Sequence, residues 1–587
     1  MSANRSGGWL AFIAFLACLI PKTGYPVELE QTIWGFGQAP PGEQITLLSV
    51  LLRNDSPEAF DADVQVAPNL GALGVGTKLV ERVFISPNSS RWVQFYPYRV
   101  SHQTEWVLNC GSRQTFDLPS INSAPQYGES VPKPIAAWLQ AEGSASSVRG
   151  AFPTFPAELF PPSVAGANGL QIAILNEAPR WDQPRREAFL GWIYRGGTVH
   201  LYQGSDGAFP QFTGELQTLN GDAPEQPIGQ GKLFRHPQGI GGAKLEDLVP
   251  PPPANTQGQQ NDFSYRYYGT NNDEVFRRLR ELVSPQHQWP LIWLASIVYL
   301  LIIFPGGYLL GKARRDFRLV MGLQVGSALL FTLLFSIIGA RGYNETSRNL
   351  AVAVARPVAE GKWDVAAWNN VFATSGGDYK ISFPRRGSIF GIGGESGLSL
   401  RGTINNGVDG QYLVDIPPFS SCTFLTRTVV DLPRIEAQVT VWDPENPSSL
   451  SIAVNSGWPT EATRAFAFLG NTQYLMNHKE GQLTVQSVTP QNQHETFANR
   501  GWRGNSLPAR NPQEDAGEWL NKQLLELEDA IATYAARRRV LEGDLLEGKA
   551  ILLIPAPMSE TCFPDSGVSG KPAGRILYTL DLPLPGR

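Results

Sequence analysis

Two apolar stretches, Trp289–Leu310 and Leu319–Ala340, contain no Asp, Glu, Lys or Arg and are separated only by residues 311–318. Each is 22 residues long. A helix rises ~1.5 Å per residue and needs about 20 apolar residues to cross ~30 Å of hydrocarbon. A buried helical pair of a soluble protein can also be apolar, but two such long uncharged runs separated by so short a loop favour the membrane reading. The chain is therefore expected to form a membrane hairpin, with transmembrane helices at 289–310 and 319–340, a loop at 311–318, and the lipid bilayer as its first partner.

The loop carries Lys312, Arg314, Arg315 and Arg318 against the single acid Asp316. An excess of Lys and Arg in a short loop marks the cytoplasmic side, so both long flanks are expected outside the cytoplasm. Trp289 and Tyr343 fall at the outer boundaries, where aromatic rings anchor a span at the headgroup level. Gly307 and Gly311 end the first span, and Gly322 and Gly326 begin the second. Small residues four apart let helix backbones approach closely, so these two pairs are predicted to pack against each other, the alternative being another subunit. Neither span holds an ionisable residue, which argues against an ion or proton path through this chain alone.

Residues 1–24 read as a signal peptide or signal anchor, because Arg5 precedes an apolar run, Trp9–Ile20, that is shorter than a span. Phe15-Leu16-Ala17-Cys18 loosely resembles a lipobox, so acylation at Cys18 stands beside simple cleavage. Cys110, Cys422 and Cys562 are too few for a disulfide scaffold in 587 residues. Cys422 and Cys562 can pair in an exported region or remain buried thiols. A net charge of −5 supplies no concentrated basic face, so no nucleic-acid partner is expected.

A chain of this length exceeds one core, and about three or four domains are expected besides the membrane pair. Residues 27–134 alternate short β-like runs (44–52, 62–66, 91–95) with turn clusters at 54–57 and 87–90, the pattern of an antiparallel β-sandwich. From 135 to 285 the pattern becomes α/β. Strand-like runs at 135–139 and 170–176 precede a helix with Asp182 as N-cap, Pro184 in its first turn and a stop at Gly196-Gly197, after which 198–202 resumes as strand. A proline-rich linker, 249–261, leads to a helix carrying Val275, Phe276, Leu279 and Leu282, expected to seat the α/β domain near the bilayer. Residues 347–510 read as a second β-rich exported domain. Residues 511–587 read as a long amphipathic helix, capped at Asp515 and Glu518, followed by strands.

The succession 170–176, 183–197 with its Trp192-Ile193-Tyr194-Arg195-Gly196-Gly197 ending, and 199–204 resembles the class I glutamine amidotransferase-like domain of some bacterial membrane proteins. The resemblance covers roughly residues 135–285. In catalytic relatives it implies a cysteine on a tight turn served by a histidine. Here no cysteine lies between Cys110 and Cys422, so the nucleophile is absent. Multi-domain proteins of this kind imply association with MoxR-type ATPases and envelope assembly.

Other chemistry is sparsely signalled. Gly204-Ser205-Asp206-Gly207 offers a serine, with His200 or His236 as base, but lacks the Gly-x-Ser-x-Gly spacing of an exposed nucleophile and suits an ordinary turn better. Six scattered histidines form no metal-ligand motif, and the glycine-rich 391–397 lacks the ending of a phosphate loop. Neither a metal nor a cofactor is expected. Trp363, Trp368 and Trp442 can stack on sugars or fill a core. Arg537-Arg538-Arg539 suits the solvated end of a helix better than a lipid contact.

The sequence is thus expected to give a multi-domain α+β membrane protein: an N-terminal β-sandwich, an amidotransferase-like α/β domain, a two-helix transmembrane hairpin, and a C-terminal β-rich region with one long amphipathic helix. Its expected function is that of a non-catalytic envelope protein of the bacterial inner membrane, a scaffold or partner- and ligand-binding module facing the periplasm. An accessory subunit of a transporter and an exported serine hydrolase are the alternatives.

Overall fold

Runs of β-branched and aromatic residues between turns fold the chain mostly into sheet, with few helices. The computed structural model describes residues 27–37, 44–69, 77–99, 105–111, 114–119, 135–141, 152–244, 248, 271–283, 289–314, 317–343, 346–359, 361–384, 388–391, 402–407, 409–443, 445–470, 472–490, 515–541 and 549–585. The signal segment, Cys18 and the 249–261 linker lie outside them. Two units divide the chain: residues 1–269 with 384–411, and residues 270–383 with 412–587.

In the first unit, β1 (Glu28–Trp34), β2 (Leu48–Asn54) and β5 (Ser89–Phe95) form one sheet in the order β1-β2-β5. β3 (Phe60–Asn69), β4 (Lys78–Ile85), β6 (Glu105–Cys110) and β7 (Gln114–Leu118) form a second in the order β4-β3-β6-β7. Trp34 and Trp106 meet between the sheets with ring centroids 6.1 Å apart. The free edge of β4 is occupied from far along the sequence: Thr403 and Ile404 pair in parallel with Lys78 and Leu79. Residues 384–411 therefore belong with the N-terminal sandwich and correct the expected 347–510 domain.

The α/β part comprises β8 (Ala136–Gln140), β9 (Thr154–Pro156), β10 (Ile172–Leu175), α1 (Gln183–Tyr194), β11 (Thr198–Gln203), β12 (Glu225–Ile228) and β13 (Gly231–Gly239). Its sheet order is β9-β8-β10-β11-β13-β12, parallel except for the edge strand β12. The Asp182 carboxylate caps α1 by accepting from Arg185 N, and Gly196 (φ 111°) ends it in a conformation that costs a side chain strain. Gly231 is required by packing, since a Cβ there would stand 2.1 Å from Ile193 O. Phe36 of the sandwich lies 4.9 Å from Phe155 and 6.2 Å from Phe160 of the α/β part, so aromatic rings join the two parts.

The second unit begins with α2 (Asn271–Val283), followed by α3 (Trp289–Leu301), a π-helical turn Ile302–Gly306, α4 (Gly307–Arg314) and α5 (Phe317–Tyr343). Pro305 lacks an N–H and its ring crowds the preceding turn; the widened π turn accommodates it without ending the helix. Ile292–Ala313 and Phe317–Ser336 are long and apolar enough to cross a membrane. Helix continues through Arg314 and resumes at Phe317, so residues 311–314, 317 and 318 of the expected 311–318 loop are helical, and residues 315 and 316 lie outside the described set.

Then come β14 (Arg348–Ala359), β15 (Lys362–Ala373), β16 (Ser420–Asp431), β17 (Glu436–Val441), β18 (Ser451–Ser456), β19 (Arg464–Leu469), β20 (Thr472–Lys479), β21 (Gln482–Pro490), α6 (Ala516–Leu541), β22 (Lys549–Pro557) and β23 (Ala573–Pro583). They order as β16-β15-β14-β23-β22-β19-β20-β21-β18-β17. Neighbours are antiparallel except β14 and β23. The expected boundary at 510/511 is therefore not observed: the last two strands sit in the middle of the sheet.

Strand periodicity assigns two buried faces. Ala351, Ala353, Leu552, Ile554, Ile576 and Tyr578 point inward, and Val439 and Ile452 from the far end of the sheet join the same cluster as Trp363, so the sheet rolls around it. Leu350, Val352, Ile551, Leu553 and Leu577 point outward beneath α6 (Trp519, Leu520, Leu524, Leu527, Ile531) and α2 (Val275, Leu279, Leu282). The α2 helix thus belongs to this unit, correcting the expectation that 135–285 is one domain and that α2 seats the α/β part. Its apolar stripe specifies that a face is buried, and the facing sheet decides against what.

Candidate functional site

In a parallel sheet, ligands are commonly held at the carboxyl ends of the strands where strand order reverses. Here that point is β8, which has β9 on one side and β10 on the other. Trp138 and Ile174 are register partners, as are Ile174 with His200 and His200 with Phe234. Two residues further along, Asn176 follows β10, and Tyr202 pairs with His236. Trp138 Nε1 donates to Asn176 Oδ1 at 3.0 Å, and Ala141 N donates to Glu177 Oε1 at 3.0 Å.

His200 and His236, which the sequence offers as bases for Ser205, instead hydrogen bond each other. His200 Nδ1 and His236 Nε2 lie 2.9 Å apart, one donating and the other accepting according to tautomer. His236 also stacks on Tyr202 with centroids 4.5 Å apart. His200 is 4% exposed, and burial together with the neighbouring imidazole lowers its pKa to about 4. Burial lowers that of His236 as well.

Ser205 is exposed in a turn closed by Gly207 N donating to Gly204 O and by Ala208 N donating to the Asp206 carboxylate. Asp206 is engaged with its own backbone, as turn-forming Asp residues commonly are. The structure therefore brings the two histidines together and leaves Ser205 in the turn. Trp138, Asn176, Glu177 and Tyr202 were not singled out by sequence reasoning; the Asn-Glu pair directly after a strand is the signal that was available.

At the pair of apolar helices, Lys312 near the end of α4 and Arg318 at the start of α5 are exposed. Arg314 closes α4, its side chain outside the described set, and Arg315 lies outside it altogether. Trp289 and Tyr343 begin α3 and end α5, their side chains likewise outside it. The glycine pairs divide. A Cβ on Gly311 would approach Val320 Cγ2 to 3.2 Å and one on Gly307 Val320 Cγ1 to 3.9 Å, whereas Gly322 and Gly326 meet nothing within 4 Å. The expected glycine-to-glycine packing is thus corrected: the first pair faces Val320 and the second faces outward. Further along, Tyr299 and Phe331 join the helices with centroids 5.0 Å apart.

Cys110, Cys422 and Cys562 are buried free thiols, so the Cys422–Cys562 pairing is not formed. Burial pushes Cys110 and Cys422 up to about 12, which removes the thiolate needed for reactivity. Trp363 fills the inner core and Trp442 sets its edge against Tyr474. Among the described residues no group of three or more His, Cys, Asp and Glu converges as a metal site.

No protein-family model matches this chain, and no curated protein matches it. Among solved structures it is similar to a Paenibacillus sp. cycloisomaltooligosaccharide glucanotransferase complexed with cycloisomaltoheptaose. The identity is 9%, the TM-score 0.15, and the match covers 74% of this chain and 73% of that one. A superposition that loose establishes no common fold.

Proposed function

We propose that this chain is a non-catalytic, membrane-anchored protein of the bacterial envelope, a scaffold that holds recognition domains beside the inner membrane. One observation carries the reading. The two outer ends of the hairpin enter a single folded core: α2 contributes Val275, Leu279 and Leu282, and β14 contributes Leu350 and Val352, to one cluster. Flanks that fold into one core lie on one side of the bilayer. The basic tip then lies on the other, which the excess of Lys and Arg assigns to the cytoplasm.

The carboxyl edge of the α/β sheet supports recognition over catalysis. Its two histidines hydrogen bond each other where burial lowers both pKa values, its Glu177 accepts from a backbone N–H, and its serine occupies a turn. The partner class implied by the resemblance to amidotransferase-like membrane proteins is a MoxR-type ATPase-associated envelope system.

Single cysteines at Lys312 and Ser205, both exposed, test the topology, because the described native thiols are buried. A membrane-impermeant maleimide applied to intact spheroplasts is expected to label the Ser205→Cys protein and spare Lys312→Cys until the membrane is opened. Labelling at Lys312→Cys in sealed spheroplasts overturns the orientation.

A further inference from the structure

Gln324 carries the only side-chain amide in either apolar stretch. It stands on α5, an unbroken helix over Phe317–Tyr343, six residues and so about 9 Å beyond Arg318. The hydroxyls of Ser296 and Ser327 are returned to their own helices, donating to Ile292 O at 2.8 Å and Gln324 O at 3.0 Å. The Gln324 side chain is exposed, and among the described residues its amide has no partner. An amide facing hydrocarbon without a hydrogen bond is costly, and in membrane helices such groups bond across to another helix.

Phe317, Met321, Gln324 and Ala328 follow at intervals of four, three and four, the spacing of a seam that packs on a second helix. Phe317 is 75% and Met321 55% exposed, and Ala328 is exposed as well. The first membrane helix engages a different face of α5, meeting Val320 beside Gly311 and Phe331 beside Tyr299. That face lies about 60° round the helix from the seam, so α5 can hold its own hairpin partner and a further helix together, as each helix of a four-helix bundle does.

We propose that this seam is a homodimer interface, in which two copies of the chain set their α5 helices side by side and parallel and the two Gln324 amides hydrogen bond each other. An amide is its own complement, since it carries N–H donors and a carbonyl acceptor, and a two-fold axis brings identical residues to the same depth. The partner then needs no charged group in the bilayer, and this stretch has none to offer. The inference rests on the membrane reading above and adds the state of assembly to it.

The test uses the full chain in native membranes under a mild oxidant. Ala328→Cys, on the seam, is expected to give a disulfide-linked dimer, whereas Leu330→Cys, on the far side of the helix and 61% exposed in the parent chain, is not. The parent chain, whose described thiols are buried, sets the background. Adding Gln324→Leu to Ala328→Cys is expected to lower the crosslinked fraction about fivefold, and adding Gln324→Asn to retain it. Equal crosslinking at the two positions, a yield unchanged by Gln324→Leu, or a product whose mass is not twice that of the chain overturns the proposal. Retention in the alkaline-carbonate pellet reports on the membrane reading separately, so a pelleted Ala328→Cys protein that stays uncrosslinked overturns the pairing alone.

Discussion

Arg575 of β23 donates through Nε to Oε2 of Glu528 on α6 at 2.9 Å, and Glu528 has no solvent exposure. The pair lies between the helical layer and the sheet. On one side of Arg575 its register partner is Val352, four residues into the strand that leaves the membrane hairpin. Asp529 next to Glu528 binds Arg464 through both oxygens, at 2.8 and 2.9 Å, so two acid-base pairs fasten α6 over an otherwise apolar contact.

Burial raises the Glu528 carboxyl to about 8, against the opposing pull of Arg575. An acid whose pKa is raised on folding contributes stability that is complete below its unfolded value, about 4.5, and is lost as pH rises through about 8. The thermal midpoint of the full chain in detergent is expected to fall over that interval, and the Glu528→Gln difference curve to isolate the contribution. At neutral pH, where the Glu528 carboxyl is protonated, Arg575→Met removes its hydrogen-bond donor and is expected to cost about 1–3 kcal/mol in denaturant unfolding. A Glu528→Gln protein with the wild-type pH profile contradicts this assignment.

His200 gives the opposite slope. Its pKa falls from 6.5 to about 4 on folding, so its contribution is complete above pH 6.5 and is lost as pH falls through about 4. Hydrogen exchange of the α/β sheet is expected to accelerate in that acidic interval, and less so in His200→Phe, whose ring keeps the stacking on Phe234.

Gly311→Leu places a side chain against Val320 and is expected to weaken the hairpin, whereas Gly322→Leu enters open space. Cysteines replacing Tyr299 and Phe331 report the outcome: oxidative crosslinking between them should fall with Gly311→Leu and stay unchanged with Gly322→Leu. Equal effects of the two substitutions contradict the helix faces described above.

Cys110, Cys422 and Cys562 should be unreactive to a maleimide in the native protein and react once it is unfolded. Migration on a non-reducing gel should not change on adding reductant. Rapid native labelling at Cys422 would place that strand at the surface.

Local pattern revealed much of this chain. Asp182 and Asp515 cap helices as their sequence contexts suggested, the strand-like runs at 135–139 and 198–202 are strands, and the two apolar stretches are helices. Partnership between distant segments was not legible. Nothing local to Thr403 specifies Lys78 as its neighbour, and nothing near Leu350 specifies Ala573, because those pairings depend on which edges the rest of the fold leaves available. The same holds for the candidate site: His200 and His236 are recognisable singly, but their contact requires the parallel register of β11 and β13. The helix 271–283 announced a buried face by its periodicity, while the identity of the covering sheet lay some 70 to 300 residues downstream.

The parallel pairing of β14 with β23 also sets an order of events during synthesis. β14 emerges soon after the second apolar helix, yet the neighbour it requires on that edge, β23, begins only at Ala573. A chain halted before Ala573 carries an open backbone edge in the middle of its largest sheet. Synthesis through Pro583, rather than formation of the hairpin, is therefore the moment at which this sheet can close.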